Sequence, residues 1–505
     1  MNSPKNPYLS HSFTGSDSTQ VLIRYSLIVS VVALALYCLT LAPTIGWGDS
    51  ADLALRMVNR DDPSFVNTSR DYVMYRWIGS AFQLLPFGDG GTRANLMTAF
   101  FGAVSVGLTA FIAGFVTRNR LALIASGISL AVSHTFWFLS VTAEVYTFNA
   151  ALILGAFAAA AIWHRTGGTA PLIAAGLFTG LALAHHATGL VLAATLTPLL
   201  LIKWRQLRLL ALLLGLASFM LASQAYWFSV FERFDTSSSF LKNLGLLTSD
   251  NPFFEVNPAR EAVKFVGYAT YNFAGLAIFF VIAGLLGAWK ARLLELVPPL
   301  IWASMLIFAG ITSSLPDKFN IYVLTYPTLA ILVGVGLVFL LRRYSPKDFI
   351  LALLVTSLAI APVASYGVTV WLSGLLNVDL VGARTAPYRD NAKYFLWPPK
   401  KGDYGPRRYA EEALAQVGPG SILIADYTLW RPLMYLQQIE SVRRDVEIVF
   451  VERLLSQGVA TYIEKQIPDR PVYLATNTPA RYYQLGEIEK QFKIERDGVV
   501  YEILR

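Results

Sequence analysis

Cysteine is nearly missing from this chain. Its only cysteine, Cys38, lies inside the first apolar run, so neither an intramolecular disulfide framework nor a cysteine-based metal site can be built. Charge is scarce as well: 15% of the 505 residues are charged, against 55% hydrophobic. A soluble chain of this length carries more charge, and a mean hydropathy of +0.49 marks a polytopic membrane protein. The net charge of +8 does not point to nucleic acid, because Lys and Arg cluster in short connections between apolar runs. No Gly-rich dinucleotide fingerprint follows the first strand of the C-terminal region, where Ala425-Asp426-Tyr427-Thr428 stands, so no nucleotide cofactor is assigned. The first 20 residues are polar and lack an apolar core with a small-residue cleavage site. The first span is therefore read as a retained anchor.

What the chain has is a series of apolar segments of about spanning length. They cover residues 26–41, 94–116, 121–139, 145–163, 171–184, 189–202, 209–230, 266–288, 296–311, 321–341 and 349–372. This predicts an α-helical membrane protein of about eleven transmembrane helices. Every second connection is basic: Arg118 and Arg120; His164 and Arg165; Lys203, Arg205 and Arg208; Lys290 and Arg292; Arg342, Arg343 and Lys347. The positive-inside rule keeps such loops in the cytoplasm. The expected layout is a cytoplasmic tail (1–20), a transmembrane domain (21–373) with a first outer loop (46–93), a linker (374–406) and an extracytoplasmic domain (407–505). The protein is accordingly placed in the inner or plasma membrane. In the last region strands near 421–425, 446–451 and 472–475 alternate with helices, and a terminal pair follows near 492–495 and 499–504. Such alternation predicts a small parallel α/β domain.

Polar groups collect at the outer ends of the spans. Trp47-Gly48-Asp49-Ser50-Ala51-Asp52 presents two carboxylates just past the first span, on one face if a helix starts there. Glu144 begins the fourth span, His185-His186 joins two short helices, and Asp317 with Tyr322 lies in the 315–322 connection. In that connection Lys318 reads as part of a hydrated turn. Residues 72–85 pattern as an amphipathic helix in the interface plane, with Arg76, Ser80 and Gln83 as its polar side. A transporter path would put ionisable groups near mid-bilayer, and the spans are nearly free of them. Carboxylates at the boundary suit a reaction between a lipid-phase partner and an aqueous one. Sugar transfer from a polyprenyl phosphate to a hydroxyl has those needs: a carboxylate base for the acceptor oxygen and a cation for the departing phosphate. Arg56, Arg70, Arg76 and Arg93 lie on that side as candidates. Asp49 and Asp52 could also ligate a divalent metal, although two carboxylates do not define one. A lipid-linked glycan flippase and a non-catalytic envelope assembly protein are the alternatives.

Leu41-Ala42-Pro43-Thr44 with Trp47-Gly48-Asp49-Ser50-Ala51-Asp52-Leu53 resembles the opening of a bacterial membrane-protein family. That family is related to the transmembrane O-mannosyltransferases acting on animal receptor IPT domains. Leu84-Leu85-Pro86-Phe87-Gly88, Arg93-Ala94-Asn95-Leu96, Ser133-His134-Thr135-Phe136-Trp137 and Ala143-Glu144-Val145-Tyr146 continue the likeness in order. Asp317, with Tyr322 and Tyr326-Pro327, looks like a later element. The resemblance implies a GT-C type glycosyltransferase with an outer-face site, a polyprenyl-phosphate sugar donor, a protein or glycan acceptor and inversion at the anomeric carbon. It makes Asp49 the base and Glu144 a positioning carboxylate. A His-Pro-Pro-Gly-Tyr-Pro stretch of the family is replaced here by Thr68-Ser69-Arg70-Asp71-Tyr72-Val73, with Arg70 or Arg76 as the expected substitute.

Overall fold

The computed structural model describes residues 17–59, 72–232, 256–313, 318–344, 348–381 and 385–505. Its first half runs α1 (Thr19–Leu39), α2 (Asp49–Val58), α3 (Val73–Phe82), α4 (Gly90–Thr117), α5 (Arg120–Ala131), α6 (His134–Ser140), α7 (Tyr146–Thr166), α8 (Thr169–His185), α9 (Thr188–Ile202), α10 (Leu209–Ala222) and α11 (Gln224–Glu232). Then come α12 (Pro258–Asn272), α13 (Ala277–Lys290), α14 (Val297–Thr312), α15 (Lys318–Val323), α16 (Tyr326–Tyr344) and α17 (Asp348–Leu376). Each apolar run read from the sequence is helical, but the eleven full spans are not all there. Among the described residues five helices are long and apolar enough to cross a membrane, or seven if two bent pairs each count as one span. Thr188–Ile202, with 15 residues, is only about 22 Å long at 1.5 Å per residue, short of a hydrocarbon core of about 30 Å.

The bends have local causes. The run read as one span over 266–288 is two helices, α12 and α13, meeting at 107°. Gly275 sits in the break at φ +74°, a conformation that ends a right-handed helix and favours glycine. The run over 121–139 turns by 68° between α5 and α6. There the Ser133 hydroxyl donates to the Leu130 carbonyl at 2.9 Å, and Asn272 Oδ1 accepts the Thr135 amide at 2.8 Å.

The central helices α4 and α7 are buried along most of their length, whereas α10 and α17 expose leucines outward. An all-round apolar helix with an exposed flank belongs against lipid.

Beyond α17 the chain forms α18 (Asn391–Leu396), α19 (Gly405–Gln416), β1 (Ile422–Ala425), α20 (Tyr427–Ile439), β2 (Glu447–Phe450), α21 (Val459–Gln466), β3 (Val472–Leu474), β4 (Lys493–Asp497) and β5 (Val500–Leu504). The sheet order is β2-β1-β3-β5-β4. Strand β1 runs parallel to β2 and β3, with Ile422 opposite Glu447 and Val472. The expectation of a parallel sheet fails at β5, which is antiparallel to both β3 and β4. Only Gly498-Val499 separates the paired Asp497 and Val500, and so short a hairpin cannot make a parallel crossover.

Candidate active site

The first loop is pinned before it reaches its carboxylates. Buried Asn95 on α4 donates to the carbonyls of Ala42 and Thr44 at 3.0 and 2.8 Å, and the Thr92 hydroxyl donates to the Pro43 carbonyl at 2.7 Å. Asp89 caps α4 through the Thr92 amide at 2.7 Å and also accepts from the Thr44 hydroxyl. Gly48 then takes φ +54°, and α2 starts at Asp49. The reading of both carboxylates on one helical turn holds. They differ sharply in surroundings, because Asp49 is exposed whereas Asp52 is 6% exposed.

What meets them is α20 of the C-terminal unit. The Tyr427 phenol donates to Asp49 Oδ1 at 2.5 Å. Arg431 Nη1 lies 2.8 Å from Asp52 Oδ1, and Arg56 Nε donates to Asp52 Oδ2 at 2.8 Å. The Gly48 amide donates to the Thr428 carbonyl at 3.3 Å. Two carboxylates and two guanidiniums thus form one group. Burial pushes the Asp52 carboxyl above its ordinary range, against the opposing pull of Arg431 and Arg56. Asp52 Oδ2 accepts from Arg56 and Oδ1 lies at ion-pair distance from Arg431, so a cation held between Asp49 and Asp52 would compete with two guanidiniums. No group of three or more His, Cys, Asp or Glu suited to a metal occurs among the described residues.

Glu144 belongs to a neighbouring group. Its amide donates to the Thr98 hydroxyl at 3.3 Å, and that hydroxyl also meets the Tyr75 phenol at 3.3 Å. His185 is buried, with Nε2 3.3 Å from the Val145 carbonyl and its ring 5.4 and 6.4 Å from Tyr72 and Tyr75. His186 stacks on Tyr72 at 6.1 Å and contacts the Thr188 hydroxyl through Nδ1 at 3.0 Å. The two histidines therefore shape the α3 side of the site. Helices α2 and α3 touch where the Ser80 hydroxyl donates to the Met57 carbonyl at 3.1 Å. The Arg389 guanidinium lies 5.7 Å from the Trp47 ring and 5.4 Å from the Tyr394 ring. Burial raises the Tyr394 phenol, with Asp403 adding to it, Arg389 opposing it and Glu144 adding further.

The remaining candidates divide. Arg76 is 7% exposed on α3 while Trp77 is 65% exposed, so the expected polar side is reversed at this pair. The cation is buried and the indole faces outward, where an interfacial ring is at home. Arg93 is taken up by the Phe87, Gln83 and Gly88 carbonyls at 3.0, 2.8 and 2.9 Å, which makes it a clamp on the turn before α4. Tyr322 is buried with its ring 4.9 Å from Phe265. Lys318, read as lying in a hydrated turn, is instead buried, 2.8 Å from Glu261. Glu261 draws Lys318 inward because a buried carboxylate needs a cation, and it also pairs with Lys264 at 2.7 Å. Arg70 and Asp317 lie outside the described residues. Sequence reading missed Tyr427, Arg431 and Glu261. Tyr427 and Arg431, one turn apart on a helix capped by Asp426, carried a signal of one aromatic and basic face, but nothing in the spacing tied it to Asp49.

Comparison with known proteins supplies an independent line. The family model of the protein O-mannosyl-transferase TMEM260 N-terminal domain matches residues 71–209. No curated protein sequence matches significantly. Among solved structures, ArnT from Cupriavidus metallidurans in the apo state is similar with a TM-score of 0.61 and 16% identity, over 94% of this chain and 97% of that one. The same enzyme bound to undecaprenyl phosphate gives 0.60 and 15%, over the same shares of 94% and 97%. The Archaeoglobus fulgidus oligosaccharyltransferase complexed with Zn and sulfate gives 0.50 and 15%, over 95% of this chain and 73% of that one. At such identities the likeness is one of fold. The chain thus shares its overall fold with ArnT and with the archaeal oligosaccharyltransferase, and its residues 71–209 match the TMEM260 N-terminal domain.

Proposed function

We propose that the protein is an inverting glycosyltransferase. It moves a sugar, a mannose-like hexose in the first instance, from a polyprenyl-phosphate donor to a hydroxyl of an extracytoplasmic protein or glycan. The observation that carries this reading is the state of Asp49. It is an exposed carboxylate at the start of α2, held at one oxygen by a phenol and adjoining a buried arginine-rich group. Asp49 takes the proton of the acceptor hydroxyl as that oxygen attacks the anomeric carbon. The bond from that carbon to the phosphate oxygen breaks, and the phosphate leaves with the electron pair. Arg76, turned inward on α3, is suited to stabilise the growing phosphate charge. Glu144 orients acceptor or donor beside Tyr75 and His185. The lipid carrier is supported by ArnT, whose solved structure holds undecaprenyl phosphate.

The test is Asp49→Asn in cells, with mass spectrometry of extracytoplasmic glycoproteins and glycans. Loss of a hexose at unchanged protein level supports the assignment, and an unaltered glycan profile removes Asp49 from the mechanism.

A further inference from the structure

None of the candidate residues read from the sequence lies in the C-terminal unit, yet the structure puts one of its side chains on the candidate base. We propose that Tyr427 is a positioning residue for Asp49, clamping one carboxylate oxygen so that the other is presented to the incoming hydroxyl. This rests on the reading of Asp49 as the base.

Three observations carry it. First, the contact joins residues 378 positions apart at 2.5 Å, and it involves the exposed carboxylate of the pair. Asp49 Oδ2 has no partner among the described residues. One oxygen is fixed and one is open, as a base needs when its geometry must be set before the acceptor arrives. Second, Tyr427 is itself fixed. Asp426 caps α20 through the Thr428 amide at 2.9 Å, and the buried Tyr483 phenol donates to Asp426 Oδ2 at 3.1 Å. The Arg431 guanidinium lies 5.1 Å from the Tyr427 ring and the Phe450 ring 6.1 Å from it. Third, the loop that carries Asp49 is tied to the same helix: Gly48 turns the chain at a positive φ, and its amide donates to the Thr428 carbonyl at 3.3 Å. Burial, and then the charge of Asp49, hold the Tyr427 phenol well above its ordinary range, so it remains a donor across the working pH.

Tyr427→Phe keeps the ring and removes the bond. The full chain is placed in lipid nanodiscs, with undecaprenyl-phosphate [3H]mannose as donor probe. The acceptor probe is the extracytoplasmic protein fraction of cells lacking the gene. The expected result is a kcat lowered roughly 10- to 100-fold, with donor KM within about twofold of wild type and the acid limb of the kcat profile displaced. Asp49→Asn is expected to fall below detection. A Tyr427→Phe enzyme with wild-type kcat and an unmoved acid limb, beside an inactive Asp49→Asn, overturns the clamp and leaves the base standing. An Asp49→Asn enzyme at the wild-type rate overturns both. A second measurement reads the contact without turnover, using 3-fluorotyrosine at position 427. Its 19F resonance should shift in Asp49→Asn, and an unchanged resonance overturns the contact.

Discussion

The indole of Trp47 lies 6.0 Å from the ring of Tyr409, which puts a first-loop residue inside the core of the C-terminal unit. Trp47 is 5% exposed and Tyr409 fully buried. Removing the indole would leave a cavity at the joint that α2 and α20 share. Trp47→Ala is expected to destabilise the protein by about 3–5 kcal/mol, in line with truncation of a buried aromatic. The measurement is a thermal midpoint in detergent, together with protease sensitivity of the 374–406 linker. An unchanged midpoint would mean that the indole does not fasten the two parts.

The ion pair between Arg431 and Asp52 should show in the pH dependence of stability. Burial raises the Asp52 carboxyl, and Arg431 and Arg56 oppose that shift. Arg431→Met removes one counter-charge, so protonation of Asp52 becomes still easier in the folded state. A folded-state carboxyl above its unfolded value makes stability fall as pH rises through that range. The variant is therefore expected to be worst at pH 8, by about 3–5 kcal/mol as for a broken buried pair, and to recover as pH falls and Asp52 takes up a proton. Thermal midpoints of both proteins from pH 5 to 8 check this. A deficit independent of pH would assign the loss to packing over Tyr427 and Trp430 instead.

How much of this was legible in the chain depends on the distance over which each signal acts. Hydrophobic runs act over one helix, and every apolar segment read from them is helical. Their bends were not legible, because Gly275 and Ser133 act through local backbone geometry that a hydropathy window averages away. Asp49 and Asp52 were legible as a pair because i and i+3 is a local relation. Their partners Tyr427 and Arg431 were not, since no spacing rule links α2 to α20. Arg76 and Arg93 were indistinguishable in sequence. One turns inward while the other binds three carbonyls of its own turn, and only the fold separates them. The mixed sheet was half legible: the terminal pair of strands was in view, but the alternation of strands and helices before it favoured a parallel sheet.

Arg93 gives a sharp contrast with a donor-binding arginine. Its guanidinium serves the Phe87, Gln83 and Gly88 carbonyls together, a fork that an ammonium cannot reproduce. Arg93→Lys is expected to lose about 1–2 kcal/mol and to loosen residues 83–88. Donor KM should remain as in wild type. Hydrogen exchange over that turn, measured beside donor kinetics, tests the assignment. A rise in donor KM with an unchanged exchange pattern would return Arg93 to the phosphate site.

Lys400 offers the clearest pH signature. It is 3% exposed, with Nζ 4.5 Å from the Phe138 ring centroid and 5.1 Å from that of Tyr394, and it donates to the Trp397 carbonyl. Burial pushes its amine down to about 7, with Asp403 pulling the other way. In the unfolded chain the amine titrates near its ordinary 10.5, so between about 7 and 10.5 the unfolded state binds more protons. Stability therefore rises with pH across that window, and the full cost of burying the charge is felt below pH 7. Lys400→Met removes the cost and keeps the volume, although the Trp397 carbonyl loses a bond worth about 1 kcal/mol. The variant is expected to have a higher thermal midpoint than wild type at pH 6, and the difference should shrink or reverse by pH 9. Equal differences at pH 6 and pH 9 would mean that Lys400 is charged in the folded protein throughout, and that the aromatic rings and Asp403 offset its burial.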